Sequence, residues 1–372
     1  MKKIFSLLPF VLLCFNVHAQ QANYNLLIGT YTKPGKSEGI YTYNFNTYNG
    51  ATKLKSITKN VQDPSFLAIS PDRKSVYAVN ENGDQSSVSA FRFSPYSGKL
   101  TLLNKKESYG ADPCYVIADN KHVIIANYSG GSITVYGRNA DGSLTDAKQV
   151  IQHTGKSIDP KKRQESAHVH MVKFTPDKKY VISNDLGEDL TYIYNYNPNA
   201  QKQILTIKNV IKVPQGTGPR HLTFTPDGKY AYLVHEFNGH ITAFSYADGK
   251  LNRIQEVTSV PEGFSGAVDG ADIHVSPDGK FLYESNRGDA NNINVFAISP
   301  TGKLTFSSRV SALGKGPRNF AIDPSGKFLL VGNQRSDEVV IFRRNKNTGA
   351  LTDTGKRIQV GAPVSLVFTK IN

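Results

Sequence analysis

The stretch GPRHLTFTPDGKYAYLVHEFNGHITAF, residues 218–244, determines the fold, because its frame returns about fifty residues later as ADIHVSPDGKFLYESNRGDANNINVF, residues 271–296. Each stretch runs from an apolar segment through a Pro-Asp-Gly-Lys turn into a second apolar segment and a polar loop. Short segments rich in Val, Ile, Tyr and Phe between turn residues predict β-strands. The Pro and Gly preset the turn and the Asp caps it. The frame therefore predicts a repeated antiparallel unit.

Related turns recur along the chain at nearly constant spacing. Pro176, Pro226, Pro277 and Pro324 are 50, 51 and 47 residues apart, and the 105 residues from Pro71 to Pro176 leave room for two units. A period near fifty indicates a propeller or a solenoid. Each unit resolves into four short strands, and no convincing helical period follows the first twenty residues. We therefore predict an all-β fold.

The two ends of the chain favour the propeller. NLLIGTY, GIYTYNF and KLKSITK near the N-terminus match the second, third and fourth strands of a unit, whereas PVSLVFT, residues 363–369, matches a first strand. Joined, they complete one unit, and a closed ring hides the strand edges that an open array exposes. We predict a seven-bladed β-propeller forming a single domain over residues 20–372. Its ring is closed by a C-terminal innermost strand that joins the three N-terminal strands.

The first nineteen residues have a different character. Lys2 and Lys3 precede a mostly apolar run over residues 4–17, and Val-His-Ala at 17–19 fits a signal-peptidase site. The run is too short to span a bilayer comfortably. Residues 1–19 are therefore predicted to be a cleaved signal peptide of a periplasmic or extracellular protein without a membrane span. Cleavage leaves Cys114 as the only cysteine, which excludes an intramolecular disulfide, and its strand-like context predicts a buried thiol.

The chain is basic, with a formal charge of +14. Such a charge can attract nucleic acid, anionic lipid or an acidic small molecule. The positive residues are spread through turns and form no long run, and no stacking motif accompanies them. We therefore interpret the charge as a solvated basic surface and expect no nucleic-acid partner.

Propeller topology predicts where a ligand binds. The loop that enters strand one and the loop that joins strands two and three lie on the same face, and strand one lines the central channel. Polar residues at these positions converge on one channel mouth, the default location for a ligand. Those with ionisable side chains include Asp63, Asp112, His168, His170, Arg220, His221, Asp272, His274 and Arg318 at first strands, and Tyr31, Glu81, Tyr128, Asp185, His235, Glu236 and Arg287 after second strands.

Several of these residues also admit structural explanations. Gly-Pro-Arg occurs at both 218–220 and 316–318, so each Arg could pair with a carboxylate of a neighbouring blade. His274 could be a core histidine, and His122 and His153 are expected at the surface. A zinc site built on the His-x-His pair at 168–170 has no carboxylate nearby in sequence to complete it. A metal-free site is therefore favoured. The absence of a Gly-x-Ser-x-Gly motif in a suitable context leaves an acyl-serine mechanism unsupported.

The two quoted stretches, together with GKGPRNFAIDPSGKFLLVGNQ (314–334) and the opening LLIGTYT…GIYTYNFN, resemble the seven-bladed propeller lactonases. This family includes the propeller-type 6-phosphogluconolactonases and the fungal carboxy-cis,cis-muconate cyclase. The resemblance extends over essentially the whole chain after the predicted signal. It implies a catalytic cluster of one His, two Arg and one Glu at the channel mouth. The matching positions are His170, Arg220, Glu236 and Arg287, and His168, His221, Asp272 and Arg318 are the expected substrate-binding residues around them.

The implied activity is hydrolysis of a sugar-type lactone by water attack on its carbonyl, without a cofactor. Glu236 or His170 could be the general base, and the sequence leaves this choice open. One arginine would stabilise the oxyanion and the other would bind a substrate phosphate or carboxylate. The substrate is expected to be anionic or polyhydroxylated, and the export signal makes an unphosphorylated lactone or another cyclic ester a candidate. Two alternatives remain: a non-catalytic propeller that binds a glycan or a protein, and a muconate-type lactonising cyclase.

Overall fold

The computed structural model describes residues 23–33, 35–159 and 161–371. All regular structure in these ranges is β-strand, in seven four-stranded antiparallel sheets. The predicted all-β fold and seven-bladed propeller are therefore confirmed. The predicted signal peptide, residues 1–19, lies outside the described residues. No helix in the described ranges has the length and apolarity needed to cross a membrane.

The blades are numbered from the N-terminal sheet, and each blade's strands run in order from the channel outwards. Blade 1 contains β1 (Asn23–Thr30), β2 (Gly39–Asn46), β3 (Thr52–Lys59) and the innermost strand β28 (Pro363–Lys370). Blades 2 to 4 contain β4 (Leu67–Ile69), β5 (Ser75–Asn80), β6 (Ser87–Phe93), β7 (Leu100–Glu107); β8 (Pro113–Ala118), β9 (His122–Asn127), β10 (Ser132–Arg138), β11 (Leu144–Gln152); and β12 (Val169–Phe174), β13 (Tyr180–Asp185), β14 (Leu190–Tyr196), β15 (Leu205–Lys212). Blades 5 to 7 contain β16 (Pro219–Phe224), β17 (Tyr230–His235), β18 (His240–Ala247), β19 (Lys250–Thr258); β20 (Gly270–Val275), β21 (Phe281–Asn286), β22 (Asn292–Ile298), β23 (Leu304–Ser311); and β24 (Pro317–Ile322), β25 (Phe328–Asn333), β26 (Glu338–Arg344), β27 (Leu351–Gln359).

The ring closes as the sequence predicts. β28 pairs with β1 in antiparallel register, so that Leu26 lies opposite Phe368 and Ile28 lies opposite Leu366. Both faces of this pairing are covered, and Leu26 and Ile28 are fully buried. The closure removes the edge that β1 would otherwise present to solvent.

The repeated turns are scaffold. In blade 5 the Thr225 hydroxyl donates a hydrogen bond of 2.6 Å to Asp227 Oδ1, and the Lys229 backbone N–H donates to the same oxygen at 3.2 Å. Gly228 has a φ of +72°, in the left-handed region that favours glycine. Ser276 and Asp278 make the equivalent 2.6 Å contact in blade 6.

Tyrosines of the second strands of blades 2, 5 and 6 tie each of these blades to the next. The hydroxyls of Tyr77, Tyr232 and Tyr283 are buried and donate to the carbonyls of Gly142, Gly302 and Gly349 at 2.9, 3.0 and 2.7 Å. Each acceptor glycine belongs to the turn before the fourth strand of the following blade. A buried hydroxyl needs such a partner, so these contacts fix the angle between blades as well as fill the core.

The expectation that His122 and His153 lie at the surface is wrong. Both are buried, because hydroxyl and carboxylate groups of blade 4 hydrogen-bond their rings. His122 Nδ1 is 2.8 Å from the Tyr196 hydroxyl, and His153 is 2.7 Å from both Asp185 Oδ2 and the Tyr194 hydroxyl. Because these partners are distant along the chain, no local pattern in the sequence predicts the burial of the two histidines.

Removal of the closing strand is expected to destabilise the ring. Deleting residues 363–372 uncovers β1 and exposes its buried side chains, at a cost of about 5 kcal/mol or more, which is comparable to the net stability of a domain. Circular dichroism melting and size-exclusion chromatography should show a lower melting temperature and association through the open edge. Deleting residues 371–372 alone is the control and should change neither. An unchanged melting temperature after the longer deletion would contradict the closure.

A second prediction concerns Glu284 in β21, which is fully buried and accepts a 2.7 Å hydrogen bond from Asn294. Burial raises its pKa from 4.5 to about 7. The folded state prefers the protonated form of the Glu284 carboxyl group. The stability that this preference contributes is complete below pH 4.5 and is lost as the pH rises through about 7.

The Glu284→Gln variant removes this loss. At pH 8 its free energy of unfolding should exceed that of the wild type by about 1–3 kcal/mol, and the difference should vanish near pH 4.5. Urea unfolding at both pH values measures this. Glu262→Gln, at an exposed position, is the matched control, and a pH-independent difference for Glu284→Gln would contradict the assignment.

Candidate active site

β-bulges set the direction of the side chains at the start of the first strands. In β8, β12, β16 and β24 one residue has no partner in the second strand: Cys114, His170, Arg220 and Arg318 respectively. In β20 both Ala271 and Asp272 are left out between the paired residues Gly270 and Ile273. A bulge re-aims the side chain of the unpaired residue. A β-bulge at the start of the first strand therefore recurs in five blades.

Three of the bulged residues, Cys114, His170 and Arg318, meet the residues after the second strands around a cavity of about 200 Å³. It is lined by Glu81, Asp112, Cys114, Tyr128, Ser129, Arg163, His170, Glu236, Arg287 and Arg318. A wider recess of about 370 Å³ lies between the Pro-Asp-Gly turns of blades 5 and 6, but it has no comparable cluster of buried ionisable groups. The smaller cavity is therefore the candidate active site.

Glu236, directly after β17, is the centre of the charged cluster. Its carboxylate is buried, and Oε1 accepts a 2.6 Å hydrogen bond from Arg163 Nη1. Arg287 Nη2 lies 3.2 Å from Oε1, and Arg220 Nε lies 2.7 Å from Oε2. Burial alone would raise the pKa of Glu236, but Arg287, Arg220 and Arg163 outweigh it and lower the pKa well below its usual value. The carboxylate is therefore ionised at neutral pH.

One oxygen of this carboxylate remains available. Arg220 Nε approaches Oε2 without the alignment of a hydrogen bond, and Oε2 accepts none from the described residues. His170 Nε2 is 3.9 Å from Oε2, too far for a direct hydrogen bond. Oε2 is therefore a buried acceptor whose hydrogen-bonding capacity is unused by the described residues.

Arg220 lies behind Glu236 and does not line the cavity. It is the largest of the fully buried side chains, and its Nη1 donates to the carbonyl of Ala271. Burial and the charge of Arg287 lower its pKa to about 10, which leaves it charged at neutral pH. Its geometry therefore holds Glu236 in place from below.

Arg287, directly after β21, does line the cavity. Its Nη2 donates to Asp269 Oδ1 at 2.6 Å. Its Nε is buried and makes no hydrogen bond to the described residues. Arg287 therefore has one donor anchored in its own blade and one buried donor without a partner among the described residues.

His170 is buried against Cys114, with Nδ1 3.7 Å from the thiol sulfur. Burial and the charge of Arg220 hold the pKa of His170 well below its usual value, so the imidazole is neutral. Burial raises the pKa of the Cys114 thiol, which is therefore not a thiolate nucleophile, and the prediction of a buried thiol is confirmed.

Two predicted binding residues, His221 and Asp272, lie beneath the cavity rather than in its wall. His221 Nδ1 is 2.9 Å from Asp272 Oδ1, and His221 Nε2 is 3.4 Å from Arg220 Nη1. Asp272 Oδ2 also contacts His274 Nε2 at 2.9 Å. His274 is therefore part of this polar layer instead of an apolar core. The layer holds Arg220, so His221 and Asp272 act on the cavity through that side chain.

His168 lies beside the cavity without lining it. Its ring stacks on Tyr128 at 4.6 Å, and its Nδ1 is 3.0 Å from the Tyr128 carbonyl. Tyr128 itself lines the cavity. His168 is therefore placed to hold Tyr128. Its predicted contact with substrate would require the His168 side chain to lie closer to the cavity than it does in this structure.

Arg318 lies in the cavity wall, as its predicted binding role requires. Its guanidinium stacks over the Tyr31 ring at 5.4 Å. It makes no hydrogen bond or ion pair to any described residue, although the charge of Glu81 is close enough to raise its pKa against the effect of burial. The Tyr31 hydroxyl donates to Glu81 Oε1 at 3.0 Å. Arg318 is thus a permanently charged group with unused donors, facing a cavity.

Arg163 is the site residue that the sequence analysis missed. It lies in the connection from β11 to β12, outside any strand or repeated position, yet it donates to Glu236 at 2.6 Å. Its guanidinium also donates to the Tyr128 hydroxyl at 2.6 Å and lies 5.3 Å from the Phe237 ring. The one available signal was length, because this connection is long for two blades of an otherwise regular repeat.

One further cluster of potential metal ligands lies outside the cavity, in the described part of the chain: His153, Asp185 and Glu188. Their side chains are already hydrogen-bonded, since His153 contacts Asp185 and Tyr194 while Glu188 accepts from the Gly155 backbone N–H. The cluster therefore serves to anchor the start of the connection that carries Arg163.

Comparison with known proteins assigns a family. The family model described as "Lactonase, 7-bladed beta-propeller" matches residues 25–368. The 6-phosphogluconolactonase of Bacillus subtilis is 36% identical over 346 residues, which cover 92% of this chain and 97% of that protein. The crystal structure of the periplasmic gluconolactonase of Pseudomonas aeruginosa is 36% identical, with a TM-score of 0.89, and the match covers 94% of this chain and 100% of that one. A candidate 6-phosphogluconolactonase of Bacteroides fragilis is 44% identical, with a TM-score of 0.90 and coverage of 94% and 99%.

The ionic cluster predicts a stability effect. Replacing Glu236 by Gln leaves the buried guanidinium of Arg220 without its counter-charge, which should lower the free energy of unfolding by about 3 kcal/mol. Inorganic phosphate should raise the melting temperature of this variant more than that of the wild type, because Arg163 and Arg287 line the cavity and would lack the negative charge of Glu236. Melting curves with phosphate or chloride at equal ionic strength measure both effects. Glu256→Gln on β19 is the control, and equal stability of wild type and Glu236→Gln would contradict the cluster's role.

Proposed function

Because the chain belongs to the family of seven-bladed β-propeller lactonases, we propose that it is an enzyme that hydrolyses a sugar-type lactone. The observation that carries the proposal is the Glu236 carboxylate, whose Oε2 accepts no hydrogen bond from the described residues although three arginines share its cavity. An ionised carboxylate beside preorganised positive charge can activate water and stabilise an oxyanion. A surface built only for binding does not need that carboxylate among its arginines.

In this proposal Glu236 is the general base, and His170 helps to hold the water. Oε2 and His170 Nε2 are 3.9 Å apart, so one water molecule can hydrogen-bond to both. The neutral imidazole can donate or accept. The water oxygen forms a bond to the lactone carbonyl carbon while its proton moves to Glu236, and the carbonyl oxygen becomes an oxyanion.

Arg287 is the proposed oxyanion donor, because its Nε has no other partner among the described residues and it lines the cavity. When the intermediate collapses, the bond from the carbonyl carbon to the ring oxygen breaks. The proton held by Glu236 is delivered to that oxygen, which regenerates the carboxylate and releases an open-chain hydroxy acid. Arg220 positions Glu236 throughout.

The substrate proposal rests on the cavity and on the relatives. A volume of about 200 Å³ suits a single sugar ring and lies below the range of about 300–1,000 Å³ typical of pockets for larger ligands. Arg318, with its unused donors, would bind an anionic or hydroxyl substituent. The Bacillus subtilis and Pseudomonas aeruginosa relatives are named for 6-phosphogluconolactone and gluconolactone hydrolysis respectively.

We also propose that the protein is exported. The support is the charge and hydropathy pattern of residues 1–19, together with the name of the Pseudomonas aeruginosa relative, which describes that protein as periplasmic. N-terminal sequencing of the mature protein from fractionated cells would test this proposal.

The proposed activity is tested by measuring hydrolysis of δ-gluconolactone and of its 6-phosphate. The wild type should accelerate at least one of them, and Glu236→Gln should lower kcat/KM by about 10²–10⁴-fold, the usual contribution of a general base. His170→Gln should cost less, since His170 positions the water without taking its proton. Circular dichroism must show that each variant is folded.

Glu256→Gln is the control and should retain wild-type activity. Wild-type hydrolysis of neither lactone nor of a related cyclic ester would overturn the enzyme proposal and favour a binding propeller. Activity on a carboxymuconate without lactone hydrolysis would instead favour the lactonising direction. A larger loss in His170→Gln than in Glu236→Gln would reverse the assignment of the base.

A further inference from the structure

Arg163 differs from the other arginines of the cluster in how it is held. The side chains of Arg220 and Arg287 are 2% and 9% exposed and are anchored to Ala271 and Asp269, whereas that of Arg163 is 42% exposed. The only carboxylate that the Arg163 guanidinium contacts in the described residues is that of Glu236. Arg163 therefore lies between the cavity and solvent, on the path by which a ligand reaches Glu236.

The backbone that carries Arg163 is fixed to blade 4. Asp159 Oδ1 accepts hydrogen bonds from the backbone N–H groups of Arg163 and Gln164, and Gln164 Nε2 donates to the Leu186 carbonyl at 2.7 Å. The Ser157 hydroxyl donates to Asp189 Oδ2 at 2.5 Å. A fixed backbone with a long, exposed side chain allows the guanidinium to change partner without refolding of the connection.

The Tyr128 and Phe237 rings are partners that the Arg163 guanidinium can keep when it leaves Glu236. The Arg163 guanidinium lies 5.6 Å from the Tyr128 ring centroid and 5.3 Å from that of Phe237. These contacts do not depend on Glu236, so they can retain the guanidinium at the cavity rim when its carboxylate contact is broken.

Glu236 carries more positive charge around it than a general base requires. Arg163, Arg220 and Arg287 contact it, and the Arg318 charge is also close. Among the other titratable groups of the cavity, His170, Tyr128 and Cys114 are neutral, since burial lowers the pKa of the first and raises the pKa of the other two. The carboxyl groups of Glu81 and Asp112 also line the cavity, but neither contacts Glu236 or Arg163. A carboxylate held by three arginines is a weak base, and loss of one arginine would raise its proton affinity.

We propose that Arg163 recognises an anionic group of the substrate and leaves Glu236 when it does so, which couples the binding of an anionic lactone to activation of the base. The inference rests on the proposed function and adds a residue that selects the substrate. A lactone that carries a phosphate or carboxylate gains both a bidentate partner and a more basic Glu236. A neutral lactone gains neither.

The test compares Arg163→Gln and Arg163→Lys with the wild type on δ-gluconolactone and its 6-phosphate, from pH 7.5 down to about pH 2, so that the range extends towards the low pKa of Glu236. In Arg163→Gln the ratio of kcat/KM for the phosphorylated lactone to that for the neutral one should fall at least tenfold. The acidic limb of kcat/KM for the neutral lactone should move about one pH unit upwards, because Glu236 becomes easier to protonate. Arg163→Lys keeps the charge and should keep the position of the limb.

Arg335→Gln is the matched control, since it removes one exposed arginine on the same face outside the cavity. It should change neither the ratio nor the pH profile. Titration calorimetry with 6-phosphogluconate, the open-chain acid, measures recognition without turnover and should show at least tenfold weaker binding to Arg163→Gln.

The outcomes separate the two proposals. An active wild type whose substrate ratio and pH profile survive Arg163→Gln would overturn the role of Arg163 and leave the lactonase proposal standing. An inactive wild type would overturn the lactonase proposal, and the calorimetric comparison would still decide whether Arg163 binds the anion.

Discussion

The pairing of β28 with β1 is the constraint on which the rest of the structure depends. Only a closed ring places the residues of blades 1, 2 and 7 opposite those of blades 3 to 6 around one channel. The contact of Arg318 with Tyr31 crosses this closure, because the two residues belong to blades 7 and 1. The side of the cavity that faces Glu236 therefore exists because the two ends of the chain share a sheet.

The fold could be predicted because the same short-range chemistry is repeated. Each Pro-Asp-Gly turn carries its own signal, the spacing gives the unit, and the two incomplete ends together make the missing blade. Arg220, Glu236, Arg287 and Arg318 could be assigned to one face by topology alone. Topology does not show which of these side chains reach the cavity wall and which lie beneath it. His221 and Asp272 occupy first-strand positions like His170, yet they lie beneath Arg220 rather than in the cavity wall.

Two errors of the sequence analysis have a common physical cause. Arg163 belongs to a connection outside the repeat, and His153 is buried by partners from the neighbouring blade. Both positions depend on hydrogen bonds between residues that are 32 or more apart along the chain. Repeated sequence features show what the blades have in common, whereas His153 and Arg163 both lie in the connection between blades 3 and 4 and contact blades 4 and 5 respectively. The irregular junction is the part of a regular protein where sequence periodicity is least informative.

Burying the charged cluster costs desolvation free energy, which the contacts within the cluster offset. Desolvation of a buried guanidinium or carboxylate costs several kcal/mol per ion, and a buried pair recovers this only with good contacts. Arg220 has Glu236 on one side and the Ala271 carbonyl on the other, and the His221–Asp272 layer contacts it from below. The arrangement preorganises Glu236 before any ligand arrives. The donors left without partners, on Arg287 and Arg318, face the same cavity.

The β-bulges have an evolutionary consequence. Because each bulged residue is left out of the pairing between first and second strands, its replacement removes no interstrand partner and leaves the neighbouring register intact. Substitutions at the bulged positions that line the cavity, Cys114, His170 and Arg318, can therefore change the chemistry of the channel without disturbing the strand pairing. A ring built this way can acquire new specificities without first losing its fold, and the bulged positions are the natural targets for a directed library.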